Sequence, residues 1–496
     1  LFLTRSLQEA ALPKETQQPT LVWLRNDLRL TDHPAIAAAA ERGGEVICVY
    51  ILEETDALRT KGGASLWWLD KSLRALRSDI SSLGGKLVCR KGDPEKIVPA
   101  LIEETKATSV FWGRRYGKAE REIDGRMKQA LQDNGIDARS FNTTLLTEPW
   151  QIETGSGGYY KVFTPYWKAV RESYEAPSTL PRPEKLGGMG VNGERIEDWG
   201  LHPTQPDWSE GFATMWTPGE AGAADRLSDF LDHGVREYED MRNRPDCDGT
   251  SGLSPHLHFG ELSPVQVWRA VKSRIDSGLQ PESSAWSFLS EIVWREFSYV
   301  LLYFNPDMGW ENYNPKFNAM PWKKDSASLT AWKKGQTGYP IVDAGMRQLW
   351  ARGWMHNRVR MIVASFLTKH LLIHWRDGED WFWDTLVDAD PASNSSGWQW
   401  TAGSGADAAP YFRVFNPITQ GQKFDVSGRY VREWCPELKD LPTKYLHAPW
   451  TADPETLKRA KVDLGTTYPK PIIDHAEGRE RARSAWEALK EKQDAA

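Results

Sequence analysis

The feature that most constrains this chain is a change of rhythm along its length. Between Leu21 and Arg115 lie four short β-rich runs, LVWLRND, EVICVYIL, KLVCRKG and SVFWGRR, each followed by a helical pattern. The segment after the second run, ASLWWLDKSLRALRSDISSLG, repeats its apolar residues with helical period and stops at the pair Gly84–Gly85. Such alternation predicts a parallel, doubly wound sheet, an α/β domain, over residues 20–148. From Thr217 onward strand signals nearly vanish, and SAWSFLSEIVWREFSYVLLYF and HNRVRMIVASFLTKHLLIHW carry helical periods throughout. A larger all-α domain is expected over 220–485. Residues 149–219, rich in Gly, Pro and Ser, read as an inter-domain linker. Residues 1–19 lack an apolar period and read as a disordered terminus.

Several function classes lose support at once. The apolar runs fall far short of the roughly 20 residues that span a bilayer, and no secretory leader is expected. Cys48, Cys89, Cys247 and Cys435 are scattered without a Cys-x-x-Cys, so neither a disulfide framework nor a metal site is expected, and a reducing, cytoplasmic home fits. His256 and His258 read as packed histidines. No G-x-G-x-x-G follows the first strand, and the near-match Gly403–Ala408 lies outside any strand–helix unit. Neither G-x-S-x-G nor a phosphate-binding Lys motif occurs. The net charge is −6, yet Asn314–Cys435 carries 15 Lys and Arg against 11 Asp and Glu, leaving room for a local basic face. Twenty-five tryptophans are unusual, and many lie between Trp286 and Trp400 beside polar residues.

Four stretches concentrate chemistry. DADPASNSSGWQWTAGSGADAAPYFRVFNP, Asp388–Pro417, mixes carboxylates, an Asn and a Trp-Gln-Trp in a way neither a core nor a solvated loop favours. DGTSGLSPHL, Asp248–Leu257, groups three hydroxyls on a glycine turn before a helix, a helix cap that could also hold a phosphate. EIVWREF places Glu291, Trp294 and Arg295, with Ser298 after it, on one helix face. GWMHNRVRMI brings together Trp354, Asn357, Arg358 and Met361, residue types suited to bases and phosphates, with Arg360 one position over.

Together with LVWLRNDLRLTDHPA, REYEDMRNRPDCDGTSGLSPHL, GYPIVDAGMRQLWARGWMHNRVRMI and SNSSGWQWTAGSGADAAPYFRVFNPITQGQKFD, these stretches resemble, in order from Leu21 to Leu438, the photolyase/cryptochrome family. Within it the likeness is to enzymes that repair cyclobutane pyrimidine dimers. The resemblance implies a U-shaped FAD: Asp388, Ala389, Asp390 and Asn394 at the isoalloxazine, with Tyr238, Thr250, Ser251, Gly252, Leu253 and Ser254 around the remainder. Phe288, where many relatives have Trp, would stack, and Trp354, Asn357 and Arg360 would complete the cofactor site. Trp398, Trp375 and Trp322 would form an electron-transfer chain. Glu291, Asn357, Met361 and Asn394 match catalytic positions. Glu291, Trp294, Arg295, Asn357, Met361 and Trp400 match lesion-facing positions, and Arg242, Arg358 and Gln420 positions near DNA. Lys323, Lys324 and Arg413 would meet phosphates. The family reaction passes one electron from photoexcited FADH⁻ to a flipped-out dimer, which splits and returns it. An antenna chromophore is implied too. Glu120 matches a folate-contacting acid, but Ala119 replaces a neighbouring Asn, so methenyltetrahydrofolate comes first and a deazaflavin second. Trp67 and Trp68 could stack on the antenna, but core packing is the expected role. UV-damaged DNA is the implied partner, and the chain is expected to be a monomer.

The competing readings are a cryptochrome photoreceptor and a (6-4) photolyase. Asn394 is photolyase-like, Met361 and Trp294 keep the dimer-repair pattern, and no long regulatory tail is expected. A (6-4) enzyme would carry a His pair where this chain has His356–Asn357. A nicotinamide dehydrogenase lacks its glycine fingerprint, and a plain DNA-binding module leaves the carboxylate–Asn–Trp cluster unexplained.

Overall fold

A computed structural model describes residues 18–494 of the chain; most of the terminus read as disordered, residues 1–17, lies outside the described residues. Five parallel strands, β1 (Thr20–Leu24), β2 (Val46–Glu53), β3 (Val88–Gly92), β4 (Ser109–Gly113) and β5 (Asp137–Phe141), form one sheet in the order β3-β2-β1-β4-β5. Side chains alternate across it. Leu21, Trp23, Val49 and Trp112 pack with the helices Pro94–Thr105 and Lys118–Asp133. Val22, Leu24, Cys48 and Phe111 pack with Pro34–Arg42 and Gly63–Ser82. Burial on both faces explains why these strands read as nearly continuous apolar runs. Trp67 and Trp68 are core residues, and Trp68 Nε1 donates to Glu261 of the helical domain at 3.0 Å.

The Gly- and Pro-rich stretch after the sheet is more ordered than a plain linker, because it contains the helix Phe163–Ser173, whose Phe163, Tyr166 and Val170 are buried. Beyond Glu220 the regular elements are helical. Two of them frame the site, the 23-residue helix Glu282–Phe304 and the helix Pro391–Ala402. Both the Asn357–Ser365 and Trp375–Thr385 helices pack against the latter. Several helices start alike, with a capping side chain before a proline: Asp93–Pro94, Ser263–Pro264, Asp390–Pro391 and Asn416–Pro417. The cap satisfies free N–H groups and the proline has none to lose.

Candidate functional site

The hydroxyl-rich turn runs through Gly252, whose φ of +62° favours glycine. A Cβ there would lie 2.5 Å from Nη2 of Arg226, a residue local patterns gave no reason to select. The Arg226 Nε is buried without a partner among the described residues. A guanidinium with an open donor beside Thr250 and Ser251 is a donor set for a pyrophosphate. Leu253 is buried and Ser254 exposed. Tyr238 and Phe288 are buried edge to face, their centroids 5.4 Å apart, and Phe230 lies 4.6 Å from Phe288. Phe288 is thus a packed wall of the site.

At the Asp388 segment each polar group has a different employment. Arg360 Nη2 donates to both oxygens of buried Asp388, at 3.1 and 2.8 Å. Ala389 is buried. Asp390 caps its helix: Oδ1 accepts from Ala392 N at 3.0 Å and Ser393 N at 2.7 Å, and Oδ2 accepts from Tyr299 Oη at 2.6 Å. Burial opposes its ionisation, but His258, the Arg295 charge and the Tyr299 hydroxyl hold its pKa well below the usual carboxylate range. The Asp390 carboxylate thus serves the helix start through Oδ1 and Tyr299 through Oδ2. Asn394 donates through Nδ2 to Glu379 Oε1 at 2.8 Å and to the Glu379 carbonyl at 3.2 Å.

The three selected tryptophans run from core to surface. Trp398 and Trp375 are buried and Trp322 is half-buried. Trp398 fits only because residue 378 is glycine, where a Cβ would lie 2.1 Å from the indole. Trp375 Nε1 donates to Asn312 Oδ1 at 2.8 Å. His374 touches both neighbours, with ring centroids 5.6 Å from Trp375 and 5.2 Å from Trp322. Trp332, which sequence reasoning passed over, lies 6.1 Å from Trp398.

A second cleft surface is built on the Glu282–Phe304 helix. Arg242 Nη2 donates to Glu291 Oε1 at 2.5 Å while its Nη1 donates to Ser287 Oγ at 3.2 Å. Burial raises the Glu291 pKa and Arg242 only partly offsets it. Trp294 is half-buried with one face stacked on Phe163 at 3.6 Å. Arg295 is engaged at the domain boundary. Its Nη1 donates to Thr144 O at 2.7 Å across the domain boundary and its guanidinium lies 5.1 Å from the Tyr299 ring centroid. A four-residue step overshoots one helical turn, and the long side chain follows its partner away from Glu291.

Asn357 is exposed at the first turn of its helix, and Met361 is half-buried. His356 is the buried N-cap, accepting from Arg358 N at 3.1 Å, and burial together with Arg358 and Arg360 lowers its pKa to about 3. Arg358 donates to Asn243 Oδ1 at 3.1 and 2.6 Å. The Arg360 guanidinium lies 5.9 Å from the Trp354 ring centroid. Trp354, Trp400 and Gln420 are half-buried, whereas Lys323, Lys324 and Arg413 are exposed.

A cavity of about 880 Å³ opens between the domains at the carboxyl ends of β1, β2 and β4. Glu120 lines it with Arg25, Lys61, Arg115 and Trp383. This is where strand order reverses around β1, the place parallel sheets use for ligands.

Comparison with known proteins fits this geometry. The sequence profile described as DNA photolyase matches residues 20–184, and that of the FAD binding domain of DNA photolyase matches residues 288–488. Deoxyribodipyrimidine photo-lyase of Agrobacterium fabrum is 52% identical over 95% of this chain and 98% of its own. Cryptochrome-2 of Arabidopsis thaliana is 37% identical over 96% and 79%. The crystal structure of a bacterial class III photolyase from Agrobacterium tumefaciens superposes with a TM-score of 0.93 at 51% identity, covering 98% of this chain and all of that one. The chain belongs to the photolyase/cryptochrome family.

Proposed function

We infer that the chain is a deoxyribodipyrimidine photo-lyase, splitting cyclobutane pyrimidine dimers in UV-damaged DNA with light and FAD. The observation that carries this reading is the 52% identity to the Agrobacterium fabrum enzyme over 98% of that enzyme's length. Among the described residues no helix is long and apolar enough to cross a membrane.

The donor set fits FAD. Arg226 with Thr250 and Ser251 would take the pyrophosphate. Tyr238, Gly252, Leu253, Ser254 and Phe288 would shape the wall, and Trp354, Asn357, Arg360, Asp388, Ala389 and Asn394 would surround the ring. When bound and reduced, FAD supplies light absorption and the loan of one electron. Glu291, with its raised pKa, holds a proton at the oxygen Arg242 leaves free and donates it as a hydrogen bond to a pyrimidine carbonyl. Asn357, Met361, Trp400 and the open face of Trp294 orient the flipped pair and exclude water. Arg242, Arg358 and Gln420 hold the strand near the cleft, and Lys323, Lys324 and Arg413 meet phosphates. Trp398, Trp375 and Trp322, running from core to surface, would carry electrons to a bound flavin. The interdomain cavity with Glu120 takes the antenna, methenyltetrahydrofolate ahead of a deazaflavin; Lys61 suits the glutamate carboxylates of the former.

The test is repair itself. Reduced, FAD-loaded protein is mixed with oligothymidine carrying cyclobutane dimers and illuminated with blue light. Recovery of thymine absorbance, absent in darkness, is the expected result. No recovery with fully reduced flavin would transfer the weight to a photoreceptor or, if (6-4) lesions are repaired instead, to that substrate.

A further inference from the structure

Asn394 is held in place from the other domain. The Glu379 carboxylate that receives its Nδ2 is fully buried. The same carboxylate receives both terminal nitrogens of Arg59, Nη1 on Oε1 at 2.8 Å and Nη2 on Oε2 at 3.0 Å. Arg376 Nη1 adds a contact to Oε2 at 3.2 Å. Arg59 lies between β2 and the Gly63–Ser82 helix of the α/β domain, lines the interdomain cavity, and has its guanidinium 4.2 Å from the Trp383 ring centroid. A carboxylate only accepts, so the Asn394 amide must turn Nδ2 toward it and leave Oδ1 for whatever lies on its other side. A two-pronged guanidinium fixes the carboxylate plane in a way a single ammonium contact does not.

We propose that Arg59 is a positioning residue for Asn394: acting through Glu379, it sets the direction of the Asn394 amide and so the balance between oxidised and reduced flavin. The proposal rests on the flavin site described above and adds to it a residue from the antenna-bearing domain. Arg59 also donates to exposed Asp380 Oδ1 at 2.7 Å, an oxygen that Arg376 Nη2 reaches at 3.4 Å, and among the described residues Asp380 makes no contact with Asn394. The two contacts are therefore separable. Without Arg59, buried Glu379 keeps Arg376 as its only cationic partner among the described residues. The added negative character beside Asn394 disfavours an anionic reduced flavin.

Full-length protein loaded with FAD is equilibrated with a redox dye, and the ratio of reduced to oxidised flavin is read at one fixed potential. Arg59→Met is expected to lower that ratio about tenfold, the scale of a lost charge-assisted contact. Arg59→Lys, which keeps the charge and loses the fork, should shift it less in the same direction, and it carries the test alone if Arg59→Met does not fold. Asp380→Asn should match wild type. An Arg59→Met or Arg59→Lys ratio equal to wild type, or an Asp380→Asn shift as large as that of the Arg59 variants, would overturn the proposal. A wild-type chain that retains no FAD would instead overturn the flavin site, and the proposal with it; a loaded variant with an unmoved ratio overturns the proposal alone.

Discussion

Two carboxylates of the helical domain meet arginine on opposite plans. Glu379 is wholly buried and its oxygens accept from Arg59, Arg376 and Asn394, two donors on each. Glu291 keeps 27% of its side chain exposed in the cleft and accepts only from Arg242 among the described residues. The saturated carboxylate has no lone pair to spare and acts as a scaffold. The singly engaged one has an oxygen free, and burial raises its pKa. Placement alone thus separates a carboxylate that holds the site from one that can address a substrate.

The largest break in that contrast comes at the scaffold. Glu379→Ala takes from two half-buried guanidinium groups and an amide the buried acceptor they share, and is expected to cost about 3 kcal/mol of stability, read from urea midpoints. Glu291→Ala, at the partly exposed pair, should cost much less in the same measurement. Asp390→Ala comes next, at about 1–2 kcal/mol for the lost cap near neutral pH. Because the Asp390 pKa is depressed on folding, its contribution is present above the ordinary carboxylate range and lost as pH falls below it. The variant should therefore lose less stability than wild type between about pH 4 and pH 2, as acid titration of the unfolding midpoint would show.

Trp375→Phe should slow photoreduction of oxidised protein while prereduced protein repairs at the wild-type rate; loss of repair in the prereduced variant would end the division between electron supply and catalysis. The smallest effect is at the rim. Arg413→Ala should weaken DNA binding uniformly across sequences and reduce the salt slope by about 1, measured by fluorescence anisotropy.

The α/β domain was legible where its strands were. Four strands announce themselves as apolar runs because helices cover both faces. β5, DARSF, did not, since this edge strand buries only Ala138 fully and reads as polar. The Phe163–Ser173 helix hid among glycines and carries a proline, Pro165, in its first turn, where a missing N–H does no harm. In the candidate site, residue types and order came from motif resemblance, but their partners did not. Arg59 and Glu379 are 320 positions apart, and Arg226 meets the Gly252 turn from another element. No local period encodes such pairings. Nor could spacing distinguish Arg295, bound to Thr144, from its helix neighbours at the cleft. The tryptophan excess divides similarly: Trp23, Trp67, Trp68, Trp112 and Trp332 fill cores, while Trp294 and Trp400 remain half-buried.

The most direct measurement is the pH profile of repair by prereduced protein saturated with dimer-containing DNA, for wild type and Glu291→Gln. If Glu291 works as a protonated donor, wild-type repair per photon falls as pH rises through its elevated pKa. Glu291→Gln then repairs less at low pH and shows no such decline. The same pH-dependent fall in both proteins, or a wild-type yield that rises with pH, would contradict the role assigned to Glu291.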